Sequence, residues 1–315
     1  MAELTQNNEL IYGMVISGVG GLYEVETDND VIKCRARGAF RSEGLTVTVG
    51  DRVGVRVEPD GSAAIMEICD RKSVLIRPPL ANLDLIFITV AAAKPAPALD
   101  VVDKLSCIAH HNGIKCAIIV TKRELDPENA ENIAQIYSKT PFKVFVTSAA
   151  EDYGIEQLRD FITTEFTAES PKICAFAGAS GVGKSTLLSK IFPKYAPDTG
   201  NLSKIGRGKH TTRAVTLYPI PLDGTDGRSK IADTPGFSLL DFTRFDFFEL
   251  TELAAAFPEF DEYIGTCKYT KCTHLKEEGC CIVDAVKRHI IAKERHNSYV
   301  SLFAELKEKE KHKYD

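Results

Sequence analysis

Gly178-Ala179-Ser180-Gly181-Val182-Gly183-Lys184-Ser185 is a complete phosphate-binding loop, and Asp233-Thr234-Pro235-Gly236 follows roughly fifty residues later. The segments able to read a purine base, Thr121-Lys122-Arg123-Glu124 and Thr147-Ser148-Ala149, both precede that loop. In an ordinary small GTPase the base-reading segment comes after the phosphate loop and the DxxG turn. The order here predicts a GTPase domain that has been circularly permuted.

The surroundings of the loop support the reading. Ile173 to Ala177 is an apolar run of strand length, and Thr186 lies in the first turn of a helix whose N-terminus faces the phosphates. The glycines let backbone N–H groups crowd around an anion, Lys184 supplies charge to the β and γ groups, and Ser185 reaches Mg²⁺. Asp233 ends a second apolar strand, where a Mg²⁺-organising carboxylate belongs, and the Gly236 N–H is placed to sense a γ-phosphate. Between them runs Gly206-Arg207-Gly208-Lys209-His210-Thr211-Thr212-Arg213, a basic stretch suited to a switch loop. Thr212, with Thr211 second, is the expected third side chain on Mg²⁺.

Phe237 occupies the position after Gly236, where many GTPases place a glutamine that orients the attacking water. Slow intrinsic hydrolysis follows, together with a need for help from outside or from the switch loop, where His210 is the local candidate. The base-reading segment usually runs Asn-Lys-x-Asp. Thr121 and Glu124 replace its outer members; Glu124 keeps the carboxylate but reaches one methylene further, and Lys122 can lie along the base. Ser148 and Ala149 resemble a second guanine-contacting loop acting through backbone N–H.

Cys267, Cys272, His274 and Cys280 offer three thiolates and an imidazole within fourteen residues, a closed tetrahedral set of structural zinc type. Cys281 could replace Cys280, although the spacing favours Cys280. Four protein ligands leave no open position for metal-based hydrolysis. Cys107, His110, His111 and Cys116 fall on a helix and the strand after it, and read as core and surface residues.

At 315 residues, 44% hydrophobic and 26% charged, the chain can bury a large core. Its first twenty residues lack the layout of a signal peptide, and Leu83 to Ala93 is too short and carries Asp84, so no membrane span is expected. Nine cysteines without an export signal point to reduced thiols or metal ligands, and to the cytoplasm. The net charge of −5 conceals two basic stretches: Val31 to Val57 has six Arg/Lys against two acids, and Lys190 to Arg213 six against one. Charge gathered in this way can form a basic face for nucleic acid.

Three units are expected. Residues 1–72 read as about five short strands: Met14 to Ile16, Leu22 to Val25, Ile32 to Cys34, and a hairpin through Val47 to Val57 turning at Gly50-Asp51. That number suits an OB-fold. Residues 73–242 alternate buried strands with helices, which argues for a parallel sheet covered on both faces. Residues 243–315 are helical and rich in Cys and His, with Val283 to Lys311 predicted as one long helix burying Val286, Ile290, Tyr299, Leu302, Phe303 and Leu306.

Taken together the chain resembles the ribosome small-subunit-dependent GTPase A (RsgA) family over nearly its full length. Beyond the permuted motifs, the resemblance rests on Arg71-Lys72-Ser73-Val74-Leu75-Ile76-Arg77-Pro78, Ala81-Asn82-Leu83-Asp84, His210-Thr211-Thr212, Phe257-Pro258-Glu259-Phe260 and the Cys267/Cys272/His274/Cys280 cluster. It implies a multidomain α/β protein: an OB-fold barrel, a circularly permuted P-loop GTPase domain and a C-terminal helical zinc-binding domain. It also implies a cytoplasmic factor using GTP/GDP, Mg²⁺ and one Zn²⁺, and a monomer is the simplest expectation for a factor that docks on a large particle. Such a factor binds the small ribosomal subunit and its rRNA late in maturation, hydrolyses GTP on stimulation and leaves. The switch leads within about thirty residues into the zinc unit, so loss of the γ-phosphate is expected to shift that unit relative to the barrel.

Overall fold

The computed structural model describes residues 9–166, 172–192, 215–220, 227–233 and 247–312, with backbone alone at Arg41, Asp233 and His312. The chain begins with β1 (Ile11–Val19), β2 (Leu22–Glu26), β3 (Val31–Ala36), a single turn of helix α1 (Ala39–Ser42), β4 (Arg52–Val57) and β5 (Ala63–Ile68). The strands are hydrogen-bonded in the order β1-β2-β3-β5-β4, and β4 returns to β1, which closes a five-stranded OB-like barrel. Alternation places Val15, Val25, Cys34, Val53, Val55 and Ile65 inside, none more than 2% exposed.

The predicted hairpin about Gly50-Asp51 is not formed; β4 pairs with β5 instead. Val47 and Val49 are buried outside any strand, and Asp51 is the reason. Its fully buried carboxylate accepts from the Thr48 N–H and from both arms of the Arg71 guanidinium, at 2.6 and 2.8 Å, knotting the segment into a turn. Gly50 has φ 91°, and a Cβ there would meet the Ala81 carbonyl oxygen at 2.1 Å, because the barrel packs directly on the next unit at this point.

A small ribbon of β6 (Val74–Leu75) and β7 (Leu80–Ala81) leads into β8 (Leu85–Ala91), all seven residues of which are buried. Then come α2 (Leu99–His111), β9 (Lys115–Thr121), α3 (Pro127–Tyr137), β10 (Lys143–Val146), α4 (Ile155–Glu165), β11 (Ile173–Ala177), α5 (Lys184–Ile191), β12 (Thr216–Pro219) and β13 (Lys230–Asp233). Their order in the sheet is β10-β9-β8-β11-β13-β12, parallel except for β12. The phosphate-loop strand β11 is central although it is late in the chain, which is the permutation seen as topology. Its crevice opens at the carboxyl ends of the strands. Sequence periodicity missed β12, four residues ending in proline, and α3, which buries only Ala130, Ile133 and Tyr137.

Three single 3₁₀ turns, at Leu250–Glu252, Ala254–Ala256 and Pro258–Phe260, precede the Cys/His loop. The long helix predicted over Val283 to Lys311 is two helices, α6 (Cys281–Lys287) and α7 (Lys293–His312). The break falls where His289 takes a left-handed φ of 59°, and the Ile290 N–H turns back to the Ala285 carbonyl. Tyr299, Leu302 and Leu306 are buried as expected, but the break turns Ile290 outward at 44% exposure and buries Ile291.

α7 joins the C-terminal unit to the GTPase sheet through Arg295, which is fully buried. Its guanidinium donates to Glu259 Oε1 at 2.6 Å and Oε2 at 3.1 Å, to Asp103 Oδ1 at 2.7 Å and to Ser106 Oγ at 3.0 Å. Tyr137 and Ser298 also donate to the Asp103 carboxylate. Removing the arginine strands two buried carboxylates. Arg295→Ala is therefore expected to lower stability by roughly 3–5 kcal/mol, read as the midpoint of urea unfolding. A change under ~1 kcal/mol would mean the network carries no more than an exposed ion pair does.

Candidate nucleotide site and metal centre

At the end of β11 the chain turns through Gly178 (φ 135°), Gly181 (φ 79°) and Gly183 (φ 100°) into α5. A Cβ at Gly178 would lie 2.2 Å from the Thr89 carbonyl oxygen of β8, so the close approach of these two strands requires glycine. Lys184 Nζ donates to the Gly178 and Ala179 carbonyls at 2.7 and 2.8 Å, which folds the ammonium back over the loop. Burial pulls its pKa down from the ordinary lysine value; an anion in the loop opposes that shift. Ser185 and Thr186 are exposed on the first turn of α5, Val182 is buried, and Ala179 and Ser180 line the rim.

The two segments that sequence assigns to base reading, at Thr121 and at Thr147, come together at the ends of adjacent parallel strands β9 and β10. The Arg123 N–H donates to the Thr147 carbonyl at 3.2 Å, its guanidinium lies 4.3 Å over the Tyr153 ring, and Glu151 is 3.6 Å away. Ser148 is fully buried and its hydroxyl accepts from the Glu151 N–H, shaping the turn that contains Ala149. Nothing in the spacing of Arg123, Glu151 and Tyr153 announces this clamp.

Both segments are braced against the phosphate loop. Thr121, 4% exposed, donates to the Val182 carbonyl at 2.5 Å, and Lys122 Nζ donates to the carbonyls of Gly181 at 2.7 Å and Lys94 at 2.5 Å. A hydroxyl is enough for that tie. Lys122 is left-handed (φ 56°) and starts the short 3₁₀ turn that holds Glu124. Glu124 Oε2 is shut off from solvent and has no hydrogen-bond partner among the described residues. A carboxylate oxygen in that condition is costly until donors reach it. The edge of a guanine carries two such N–H groups, so the chemistry of the site fits that base. Asp126, two residues on, is engaged as the N-cap of α3 through the Asn129 N–H.

Asp233 is placed at the end of β13, beside β11, by its backbone. His210, Thr211, Thr212, Gly236 and Phe237 lie outside the described residues.

The Cys/His loop brings its four expected ligands together: one ligand atom each from Cys267, Cys272, His274 and Cys280 all lie within 4.8 Å of one another. Cys267 Sγ and Cys280 Sγ are 3.9 Å apart, each 3.5 Å from His274 Nδ1, separations close to the edges of a tetrahedron about one zinc ion. The N–H groups of Cys281 and Val283 point at the Cys267 and Cys280 sulfurs, as thiolates require. Cys281 is no ligand here; its thiol turns to the Thr266 carbonyl at 3.2 Å.

A second layer, invisible in the spacing, holds the loop. His296 Nε2 donates to the His274 carbonyl and Tyr299 to the Thr273 carbonyl, both at 2.8 Å. Glu277 accepts from Thr273, Leu275 and Lys276; burial alone would raise its pKa, but these bonds outweigh it and hold it down at about 2. Cys107 and the half-buried Cys116 are core thiols, and His111 packs on Phe248 at 5.2 Å.

Comparison with known proteins settles the family. The model for the RsgA GTPase matches residues 68–243, and that for the RsgA N-terminal domain matches residues 12–65. The chain belongs to the RsgA GTPase family. It is 37% identical over 308 residues to the small ribosomal subunit biogenesis GTPase RsgA of Caldanaerobacter subterraneus subsp. tengcongensis, covering 97% of this chain and 99% of that relative. The protein of the same name from Clostridium beijerinckii is 38% identical over 304 residues, covering 96% and 99%. Among solved structures, YjeQ from Thermotoga maritima superposes with a TM-score of 0.72 at 29% identity over 94% of this chain and 98% of that one. YloQ, a circularly permuted GTPase, gives 0.72 at 30% identity over 98% of each. This RsgA-family protein is a GTP-hydrolysing enzyme on a circularly permuted fold, and use of guanine nucleotide and Mg²⁺ follows from the family. Among the described residues no helix is long and apolar enough to cross a membrane.

Proposed function

We propose that this enzyme binds the small ribosomal subunit in the cytoplasm, acts late in its maturation, hydrolyses GTP when the subunit stimulates it, and then dissociates as a monomer. The observation that supports this most is relatedness of 37–38% over almost the whole chain to proteins named for small-subunit biogenesis. The three units, 1–72, 73–242 and 243–315, take separate parts. The barrel supplies strand faces and the basic Val31 to Val57 stretch for rRNA, the middle unit supplies the GTPase, and the C-terminal unit is fixed by one structural Zn²⁺ on Cys267, Cys272, His274 and Cys280.

Within the GTPase unit, Gly178 to Thr186 hold the phosphates, with Lys184 on the β and γ groups. Ser185, Thr212 and Asp233 surround Mg²⁺, and Gly236 reads the γ-phosphate. Glu124, carried by Lys122 and braced by Thr121, accepts from the guanine edge; the Ser148 N–H is taken by the Tyr153 carbonyl at 2.9 Å, which leaves Ala149 to present its backbone N–H to the base oxygen. Phe237 leaves no glutamine for the attacking water, so His210 or a group from the subunit must orient it.

Multiple-turnover GTP hydrolysis with and without purified small subunits tests the partner and the reaction together. Stimulation of at least ~100-fold is expected if the subunit supplies a catalytic group; an unchanged rate would break the assignment. The base assignment has its own check. Glu124→Ala is expected to weaken GTP and GDP binding alike by roughly 1.5–3 kcal/mol, the worth of a hydrogen-bonded charge. Titration calorimetry showing unaltered guanine affinity, or equal competition by ATP, would remove Glu124 from that role.

A further inference from the structure

β12 and β13 form an antiparallel hairpin lying, in sequence, between residues 193–214 and 234–246. Those are the stretches to which sequence assigns the switch threonine and Gly236. The same hairpin carries the barrel. Thr216 of β12 is paired on one side with Asp233 of β13 and on the other with Ser17 of β1, so barrel and GTPase strands make one continuous sheet. β1 is bulged between Val15 and Ser17, which bends the strand away from its run along β4 to meet β12 at Ser17.

A second tie runs beside the first. Lys230, three residues before Asp233 on β13, is 1% exposed. Its ammonium is 2.6 Å from Glu26 Oε2 on barrel strand β2 and donates to the Gly227 carbonyl at 2.9 Å. A lysine buried this completely needs its counter-charge. Neither residue belongs to the segments that sequence assigns to nucleotide or metal, yet the pair joins the barrel to the strand that ends at Asp233. Any displacement of β13 along its axis must either carry Glu26 with it or leave Lys230 unpaired.

We propose that Glu26 is a positioning residue for the nucleotide site, acting through Lys230 on the strand that delivers Asp233, and that barrel and nucleotide site are coupled through this hairpin. The proposal rests on the assignment of residues 233–236 to nucleotide sensing. It adds a route through the barrel to the one through the C-terminal unit that sequence alone suggests. Coupling is reciprocal: whatever grips the barrel shifts the preference for GTP over GDP by the factor through which nucleotide shifts that grip.

Hydrogen–deuterium exchange on the full-length chain, with GDP and with a non-hydrolysable GTP analogue, tests it without ribosomes. In the wild type, amides of 234–246 and of β1–β2 are both expected to exchange differently in the two nucleotides. In Glu26→Gln, a change at a side chain about one-third exposed, the 234–246 difference persists and the β1–β2 difference is lost. A β1–β2 difference that is absent in the wild type overturns the coupling, and one that survives in Glu26→Gln overturns the positioning role of Glu26; both leave the site assignment in place. No nucleotide response in 234–246 of the wild type overturns the assignment and the coupling with it.

Discussion

Replacing Lys184 by alanine is expected to slow single-turnover GTP hydrolysis by about 100- to 1000-fold, the usual cost of deleting one preorganised donor to developing charge. The ammonium is already fixed over the loop by the Gly178 and Ala179 carbonyls and is partly stripped of water, so its charge acts at close range. No solvent molecule can take up that position with the same charge. The fold should survive, because among the described residues Lys184 ties to its own loop, while β11 beneath it stays buried among β8 and β13. Thermal unfolding of Lys184→Ala within a few degrees of the wild type, together with lost hydrolysis, is the expected pair of results. A rate within threefold of the wild type would mean that the loop binds phosphate without acting on it.

The second large effect concerns the Cys/His centre. Stripping the metal with a chelator is expected to unfold residues 267–280, since structural zinc of this kind contributes on the order of 10 kcal/mol to small metal-dependent folds. Three thiols and an imidazole brought within 4.8 Å have no other common partner. The damage should spread along α7. His296 and Tyr299 lose the carbonyls they hold, and Tyr299 packs edge-on against Phe257 and Phe260 at 5.4 and 5.1 Å. Metal analysis should give one zinc per chain, and chelation should expose the four ligand side chains to thiol reagents and solvent. Retention of the native melting temperature after complete metal removal would sink the structural role.

Much of this architecture is legible in the residues because its signals are local. The phosphate loop, the DxxG turn and the Cys/His spacing each bring their chemistry within a short window. The order of the first two relative to Thr121 reveals the permutation, which the central position of β11 confirms. Local rules fail where distant residues decide. Val47 to Val57 alternates like a hairpin, yet Arg71 takes Asp51 and draws the first half into a buried turn. Val283 to Lys311 keeps helical spacing through its break, because a left-handed histidine costs the pattern nothing. β12 is too short to show a period, although it is the strand that joins barrel to GTPase. Glu124 departs from the usual aspartate by one methylene, and sequence carries no sign that its Oε2 would be buried without a hydrogen-bond partner among the described residues.

The Arg295 network also sets an order of events during synthesis. Asp103 leaves the ribosome 192 residues ahead of the arginine that neutralises it, a delay of roughly 10–40 s at ordinary elongation rates. Until then α2 carries a carboxylate with no counter-charge on the face that the C-terminal unit will cover. The helix packed against β8 and β9 is thus completed only by the last part of the chain. A chain cut short before Arg295 holds the whole phosphate loop and still leaves the Asp103 carboxylate without its guanidinium.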